Sequence, residues 1–237
     1  MKKAFNIFLL LLSGALILTG CMYPEEKLSQ NQIAYKDQLQ SVQSAVDQYR
    51  EANGGLLPIK TKDQTTPIYQ KYPIDFKKIA PEYMAEPPGN AFESGGVFQY
   101  VIVDAETDPK VKIFDLRIAE TIRDINLRVK AHGFPPYKEQ IAENVFTMDF
   151  KKLGFKEEPE ALSPYSGQSL PYVVTGNAEV YVDYRADLYQ ALENKENKPK
   201  PGEDIRDLLV EDSDFVPAYS LPYTIDPATN DPIFLVK

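Results

Sequence analysis

The sequence predicts an α+β fold of tandem repeated modules, each with one helix packed on a small antiparallel β-hairpin or meander. Three observations predict it: a six-residue segment occurs twice, a helical stripe of apolar residues precedes each copy, and an alternating Tyr-led stretch follows each copy. The chain has 237 residues, of which 43% are hydrophobic, and this excludes disorder of the whole chain.

Residues 1–20 predict a cleavable signal peptide. Lys2 and Lys3 precede an apolar run that is too short and too interrupted for a spanning helix, which needs about 20 apolar residues. The run ends in Leu18-Thr19-Gly20-Cys21, which resembles the bacterial lipobox. That resemblance implies cleavage between Gly20 and Cys21, a diacylglyceryl thioether on Cys21 and, often, acylation of the new amine. An uncleaved anchor or a free thiol remains the alternative.

Residues 21–35 follow as the lipidated Cys and a polar, aperiodic tether. Lys plus Arg total 26 and Asp plus Glu total 35, a net charge of −9. This excludes a basic nucleic-acid footprint, and loss of Lys2 and Lys3 makes the charge about −11. Because anionic headgroups repel such a domain, the lipid chains must hold it to the membrane.

Module 1 is expected over residues 36–117, module 2 over 118–185 and a reduced module 3 over 186–237. The segment 74–79 (Ile-Asp-Phe-Lys-Lys-Ile) recurs as 148–153 (Met-Asp-Phe-Lys-Lys-Leu), and 204–208 (Asp-Ile-Arg-Asp-Leu) is a weaker third copy. Each copy is followed by two strand-like stretches joined by a turn. The alternative is a single domain in which hairpins recur by coincidence.

The helix of each module follows from an apolar stripe with helical spacing. The first helix is expected over roughly 33–53 and the second begins near residue 118, each stopped by Gly and then Pro. A shorter third helix ends before the Lys- and Pro-rich stretch 195–201. Each Asp-Phe-Lys-Lys segment is expected to form one helical turn capped by its Asp. The stripe residues are Leu39, Val42, Val46 and Tyr49, then Ile118, Ile122, Ile125 and Val129, then Leu188 and Leu192.

The order of these features resembles the globular head of type IV pilins and pseudopilins. The resemblance covers residues 36–104, through the segments 45–58, 79–90 and 98–100, and departs at the front, where a lipobox replaces the pilin stem. In general character the chain also resembles an uncharacterised lipoprotein family of Bacillus-type, spore-forming Gram-positive bacteria. That resemblance rests on the lipobox, the Lys/Glu/Tyr/Pro-rich mature region and the Asp-Phe-Lys-Lys repeats.

The residues predict no catalytic site, no cofactor and no metal centre. With one Cys and one His, the chain has no internal disulfide and no Cys/His metal cluster. His132 is expected to lie at the C-terminal end of a helix, beside Gly133. A ring that can carry a positive charge interacts favourably with the helix dipole there. Asp75 and Asp149 are equivalent positions of the repeat and are read as N-caps rather than as a catalytic carboxylate pair.

Two further features allow a binding interpretation beside a structural one. The Asp-rich turns that begin at Asp104 and Asp226 have oxygen ligands that calcium accepts, although such residues are also ordinary in turns. Five tyrosines are concentrated in module 2 and just beyond its end, where core packing is favoured over a recognition role. They are Tyr165, Tyr172, Tyr181, Tyr184 and Tyr189.

Taken together, these features predict a lipid-anchored protein on the extracytoplasmic face of the cell membrane. Its expected function is non-catalytic: a protein-interaction or scaffold role with an envelope protein as partner. A small-molecule (solute) binding lipoprotein of a transporter is the second interpretation, and a carboxylate-based envelope hydrolase is the third.

Overall fold

The computed structural model describes residues 35–193, 195 and 198–235. The predicted signal peptide, Cys21 and the tether up to residue 34 lie outside the described residues. Contacts divide the chain into residues 1–37 and 38–237, and the second range forms one compact unit. Within the described residues, four α-helices and several small antiparallel sheets confirm the α+β class.

Helix α1 (Tyr35–Ala52) opens the described chain and buries its predicted apolar stripe. Leu39, Val42 and Val46 are buried, whereas Tyr49 is half-buried against the ring of Tyr83. The helix is followed by two glycines with positive φ, Gly54 and Gly55. A 3-10 turn (Ile68–Gln70) and a short helix α2 (Phe76–Ile79) lie in the connection to the first sheet.

Strands β1 (Phe98–Val103) and β2 (Lys110–Asp115) form an antiparallel hairpin in which Val103 lies opposite Lys110. Residues 72–74 run beside β1, where the Ile74 N–H donates to the Tyr100 carbonyl over 3.0 Å. On the outer side of β2, the Ile113 N–H donates to the Asp214 carbonyl, also over 3.0 Å. A segment about 100 residues away in the sequence therefore extends the first sheet.

Helix α3 (Leu116–His132) packs against a second, five-stranded sheet. Its order is β3-β4-β6-β5, and β7 also pairs with β6. All four predicted apolar positions of α3 are buried in this core. The strands are β3 (Tyr137–Ala142), β4 (Val145–Met148), β5 (Glu160–Leu162), β6 (Ser169–Thr175) and β7 (Val180–Val182).

The last part of the chain contributes to both cores. It contains helix α4 (Arg185–Glu193), a 3-10 turn (Arg206–Leu209) and the hairpin β8 (Tyr223–Ile225) with β9 (Pro232–Phe234). Leu209, Tyr223 and Phe234 pack in the core of the second sheet. Val210 and Val216 pack with Val103 and Phe114 in the core of the first. The division into three modules stays a prediction.

Two local features differ from the sequence prediction. Residues 149–154 form consecutive hydrogen-bonded turns rather than a helix, although Phe150 and Leu153 are buried as expected. The β3–β4 hairpin was not predicted, since β3 is largely exposed and lacks the alternation of apolar and polar residues that marks a half-buried strand.

Candidate functional site

A cleft of about 500 Å³ lies among the described residues. We call it the hairpin cleft, because the end of the β1–β2 hairpin (residues 102–112) forms one wall. Residues 68–72, which begin with the 3-10 turn, form a second wall, and residues 207–211 form the third. Its floor is apolar and its rim carries charged side chains.

Tyr69 joins two walls of the hairpin cleft. Its ring is buried in the core with Val103 and Val210, and its hydroxyl donates to Asp207 Oδ1 over 2.8 Å. The Arg206 guanidinium lies over the ring, 5.2 Å from its centroid. Burial, and then the charge of Asp207, raise the pKa of Tyr69 above its ordinary value. The hydroxyl therefore stays protonated and acts as a donor at neutral pH.

Lys112 makes a second connection across the cleft. Its ammonium donates to the Val210 carbonyl over 3.1 Å and to the Ser213 carbonyl over 2.5 Å. Burial lowers its pKa, while the carboxylates of Asp214 and Asp104 oppose that effect. An ammonium has three N–H donors, and these two carbonyls accept two of them.

The rim of the cleft is predominantly acidic. Asp104 and Glu106 are exposed on the hairpin turn, and Asp207 and Glu211 lie on the opposite wall. Glu211 is paired with Lys195, outside the cleft. The aromatic and aliphatic floor with a charged rim is suited to binding.

The sequence singled out one part of this site, the Asp-rich turn that begins at Asp104, but not the other walls. Its walls are separated by 138 residues at the Tyr69–Asp207 bond and by 98 residues at the Lys112–Val210 bond. The available signal was the pair of tyrosines, Tyr69 and Tyr72, in a stretch that lacked any helix or strand pattern.

Outside this cleft, the candidate residues that the sequence singled out make contacts at helix ends and turns. His132 ends α3, as predicted, and its Nδ1 lies 2.9 Å from the Phe134 carbonyl oxygen. Asp75 is the N-cap of α2 and accepts from the Lys77 N–H over 3.3 Å. Asp149 lies 3.7 Å from the Lys152 ammonium at the start of its own turn. Asp75 and Asp149 therefore occupy separate elements. Cys21 lies outside the described residues.

The two Asp-rich turns differ in their surroundings. Asp226 accepts from the N–H groups of Ala228 and Thr229 over 2.7 and 3.1 Å, so its carboxylate closes its own turn. Asp104 belongs to the hairpin cleft and has a positive φ of 50°. Across the described ranges, no group of three His, Cys, Asp or Glu side chains is placed to hold a metal ion.

The tyrosines of the second sheet belong mainly to its core. Tyr172 and Tyr184 are buried, Tyr165 and Tyr181 are half-buried against the same cluster, and Tyr189 is exposed. The Tyr184 hydroxyl donates to the Ala218 carbonyl over 3.4 Å, so this ring also contacts the segment between the two sheets. None of the five lines the hairpin cleft.

Residues 35–115 match the YphF family N-terminal domain. No curated protein and no solved structure matches the chain.

The matched range has a direct relation to the hairpin cleft. It includes the 3-10 turn at residues 68–70 and the β1–β2 hairpin, which belong to two of the three walls. Asp207 and Glu211 lie outside the matched range. The cleft of this chain is thus completed by residues that the family model does not include.

A search of the described helices for candidate membrane spans finds none of sufficient length and apolar character.

Proposed function

We propose that the protein is a non-catalytic binding protein of the cell envelope and that it binds a protein partner through the hairpin cleft. In this proposal Cys21 carries the lipid that holds the chain on the extracytoplasmic face of the membrane, as in the Bacillus-type lipoproteins that the sequence resembles. The observation that carries the proposal is the cleft itself, with an apolar floor, a charged rim and an exposed Ile68 at its edge.

Site-specific crosslinking tests the protein-binding role. A photoreactive amino acid replaces Ile68, whose side chain is 58% exposed, in the full-length protein in its native membranes. The matched control carries the same group at Leu127, which is 60% exposed and lies on α3 outside the cleft. We expect a discrete protein adduct from position 68 and none from position 127. Absence of an adduct at position 68 contradicts the proposal.

Lipid anchoring is tested separately. We expect the wild-type chain to fractionate with membranes and its N-terminal peptide to carry the mass of an acylated Cys21. The Cys21→Ser variant is expected to lose that mass and to keep its uncut apolar segment, which is then its remaining attachment, so the mass of the N-terminal peptide and not the fractionation is the deciding readout. An unmodified Cys21 thiol in the wild-type protein contradicts lipid anchoring.

A small-molecule binding role is the second candidate. The volume of about 500 Å³ lies within the range of ligand pockets, roughly 300–1,000 Å³, and this favours it. A thermal-shift screen of solutes distinguishes the two roles, because a solute held in the cleft raises the melting temperature of the wild-type protein. The same solute is then expected to reduce crosslinking from position 68.

A further inference from the structure

The carboxylates of the hairpin cleft differ in whether they already have a partner. Asp207 accepts the Tyr69 hydroxyl, and Glu211 is paired with Lys195. Asp104 and Glu106 form no ion pair with any described residue and are exposed on the hairpin turn. The rim therefore holds two solvated negative charges above an apolar floor.

The two basic residues of the cleft, Lys110 and Lys112, neutralise this rim only in part, because four carboxylates line the cleft. Lys110 contacts Asp108 over 3.0 Å, and the Lys112 ammonium is bound by two backbone carbonyls of the opposite wall. An anionic ligand at the hairpin turn would meet an excess of negative charge, so the charge distribution disfavours it.

The floor beside these carboxylates is suited to an aliphatic chain. Ile68 and Tyr72 border it from one wall, and Ile102 and Val103 line it from the hairpin. Lys and Arg side chains place their methylene groups on apolar surface while the charged end stays at the rim.

We infer that the cleft recognises a segment of a protein partner in which a Lys or Arg adjoins an apolar side chain. The cation lies at Asp104 and Glu106, the apolar side chain lies on the floor beside Ile68, and the third N–H of Lys112 donates to a backbone carbonyl of the segment. This inference rests on the proposed function and specifies the chemistry of the partner.

Binding of defined peptides tests the inference. Three fluorescent peptides of equal length, with alternating Lys and Leu, Glu and Leu, or Lys and Ser, are titrated with the full-length protein in uncharged detergent. Fluorescence anisotropy is the readout, and protein-free micelles give the blank. We expect saturable binding of the Lys/Leu peptide, and at least tenfold weaker binding of the other two.

A paired set of variants assigns that binding to the rim. The double variant Asp104→Asn, Glu106→Gln is expected to weaken binding of the Lys/Leu peptide by about three- to tenfold, the range for one or two exposed ion pairs. The control variant Glu157→Gln, Glu158→Gln removes two exposed charges outside the cleft and is expected to bind like the wild type.

Three results overturn the inference. They are equal binding of the Glu/Leu peptide, equal binding of the Lys/Ser peptide, and unchanged binding by the Asp104, Glu106 variant. Any of these combined with a protein adduct at position 68 leaves the proposed function standing and removes only the assigned partner chemistry. Absence of the adduct removes the proposed function itself.

Discussion

Asp187 is a carboxylate with only 2% of its surface exposed. It accepts from the Ser163 hydroxyl over 2.8 Å and from the Ser166 hydroxyl over 2.6 Å. Burial raises its pKa, and the two hydroxyls oppose that effect. Because the pKa of Asp187 is raised in the folded protein, this single residue makes the free energy of unfolding depend on pH.

We predict that the free energy of unfolding falls less with rising pH in Asp187→Asn than in the wild type. Because the folded-state pKa is raised, the folded protein holds this proton more tightly than the unfolded chain does. Stability from this group is therefore present below the ordinary Asp pKa of about 3.9 and is lost as pH rises through the raised folded-state pKa. Urea unfolding across that range of pH measures the slope of the free energy of unfolding against pH. Ser166→Ala, which removes an opposing hydroxyl, is expected to steepen it, and equal slopes for wild type and Asp187→Asn contradict the prediction.

The spacing Asp-x-Arg occurs at three places where a helix or turn begins. Arg117, Arg185 and Arg206 each donate a backbone N–H and two side-chain N–H groups to the Asp two residues earlier. The contacts are similar, but exposure differs: the Asp183 side chain is 6% exposed and the Asp115 side chain 15%.

We predict that Arg185→Ala destabilises the fold more than Arg117→Ala. Removing Arg185 leaves Asp183 as a buried charge without its partner and removes the guanidinium from the Phe234 ring, 4.7 Å away. Because Arg185 is itself partly exposed, we expect a loss of about 2–3 kcal/mol, against about 1 kcal/mol for the more exposed Arg117 pair. Chemical unfolding followed by circular dichroism gives both values. Equal losses contradict the argument from burial.

At the scale of elements, the loop before β1 is closely packed. A Cβ atom added at Gly96 would lie 2.1 Å from the backbone of Asn90, although the φ of Gly96 is outside the left-handed region. The Asn90 carbonyl accepts from the Phe98 N–H, and its side-chain oxygen accepts from the Tyr100 hydroxyl over 2.7 Å. This close approach sets where β1 starts.

We predict that Gly96→Ala lowers the free energy of unfolding by about 2–3 kcal/mol, the effect of forcing extra volume into a packed site. Gly89→Ala in the same loop is the control, since a Cβ there meets no atom within 4 Å. Thermal unfolding compares the two variants. A stable Gly96→Ala protein would contradict the close approach.

For the whole molecule, residues 210–219 connect the β1–β2 sheet to the five-stranded sheet. The Val216 N–H donates to the Ile113 carbonyl over 3.0 Å, and the Val182 N–H donates to the Tyr219 carbonyl over 2.8 Å. Val216 is 2% exposed, in the core that Tyr69 and Phe114 share. Unfolding of either sheet therefore disturbs this segment.

We predict that the part of the chain from residue 38 onward unfolds in one cooperative transition. Val216→Ala removes buried methyl groups, so it is expected to shift the whole transition downward by about 1–2 kcal/mol. Scanning calorimetry tests this, with Val180→Ala in the second core as the comparison. Separate transitions, with only one moved by Val216→Ala, would support independent modules and contradict the prediction.

The local elements followed from the sequence because their signals lie within a few residues. The apolar stripes of α1 and α3 are buried, Asp75 caps α2, and the Tyr-led stretches form β1, β6 and β8. Periodicity, capping and turn chemistry act over one or two turns, so they can be read without knowledge of the fold. The sequence also determines the lipobox-like segment ending at Cys21 and the acidic charge.

Only the tertiary structure brings the three walls of the hairpin cleft together. Tyr69 meets Asp207, and Lys112 meets Val210, only because residues 204–218 pack beside β2, and no local pattern specifies that placement. The exposed β3 strand also depended on pairing with β4 rather than on its own alternation. The physical reason is the same for both: contacts between residues far apart in sequence depend on how whole elements pack, which short-range periodicity does not encode.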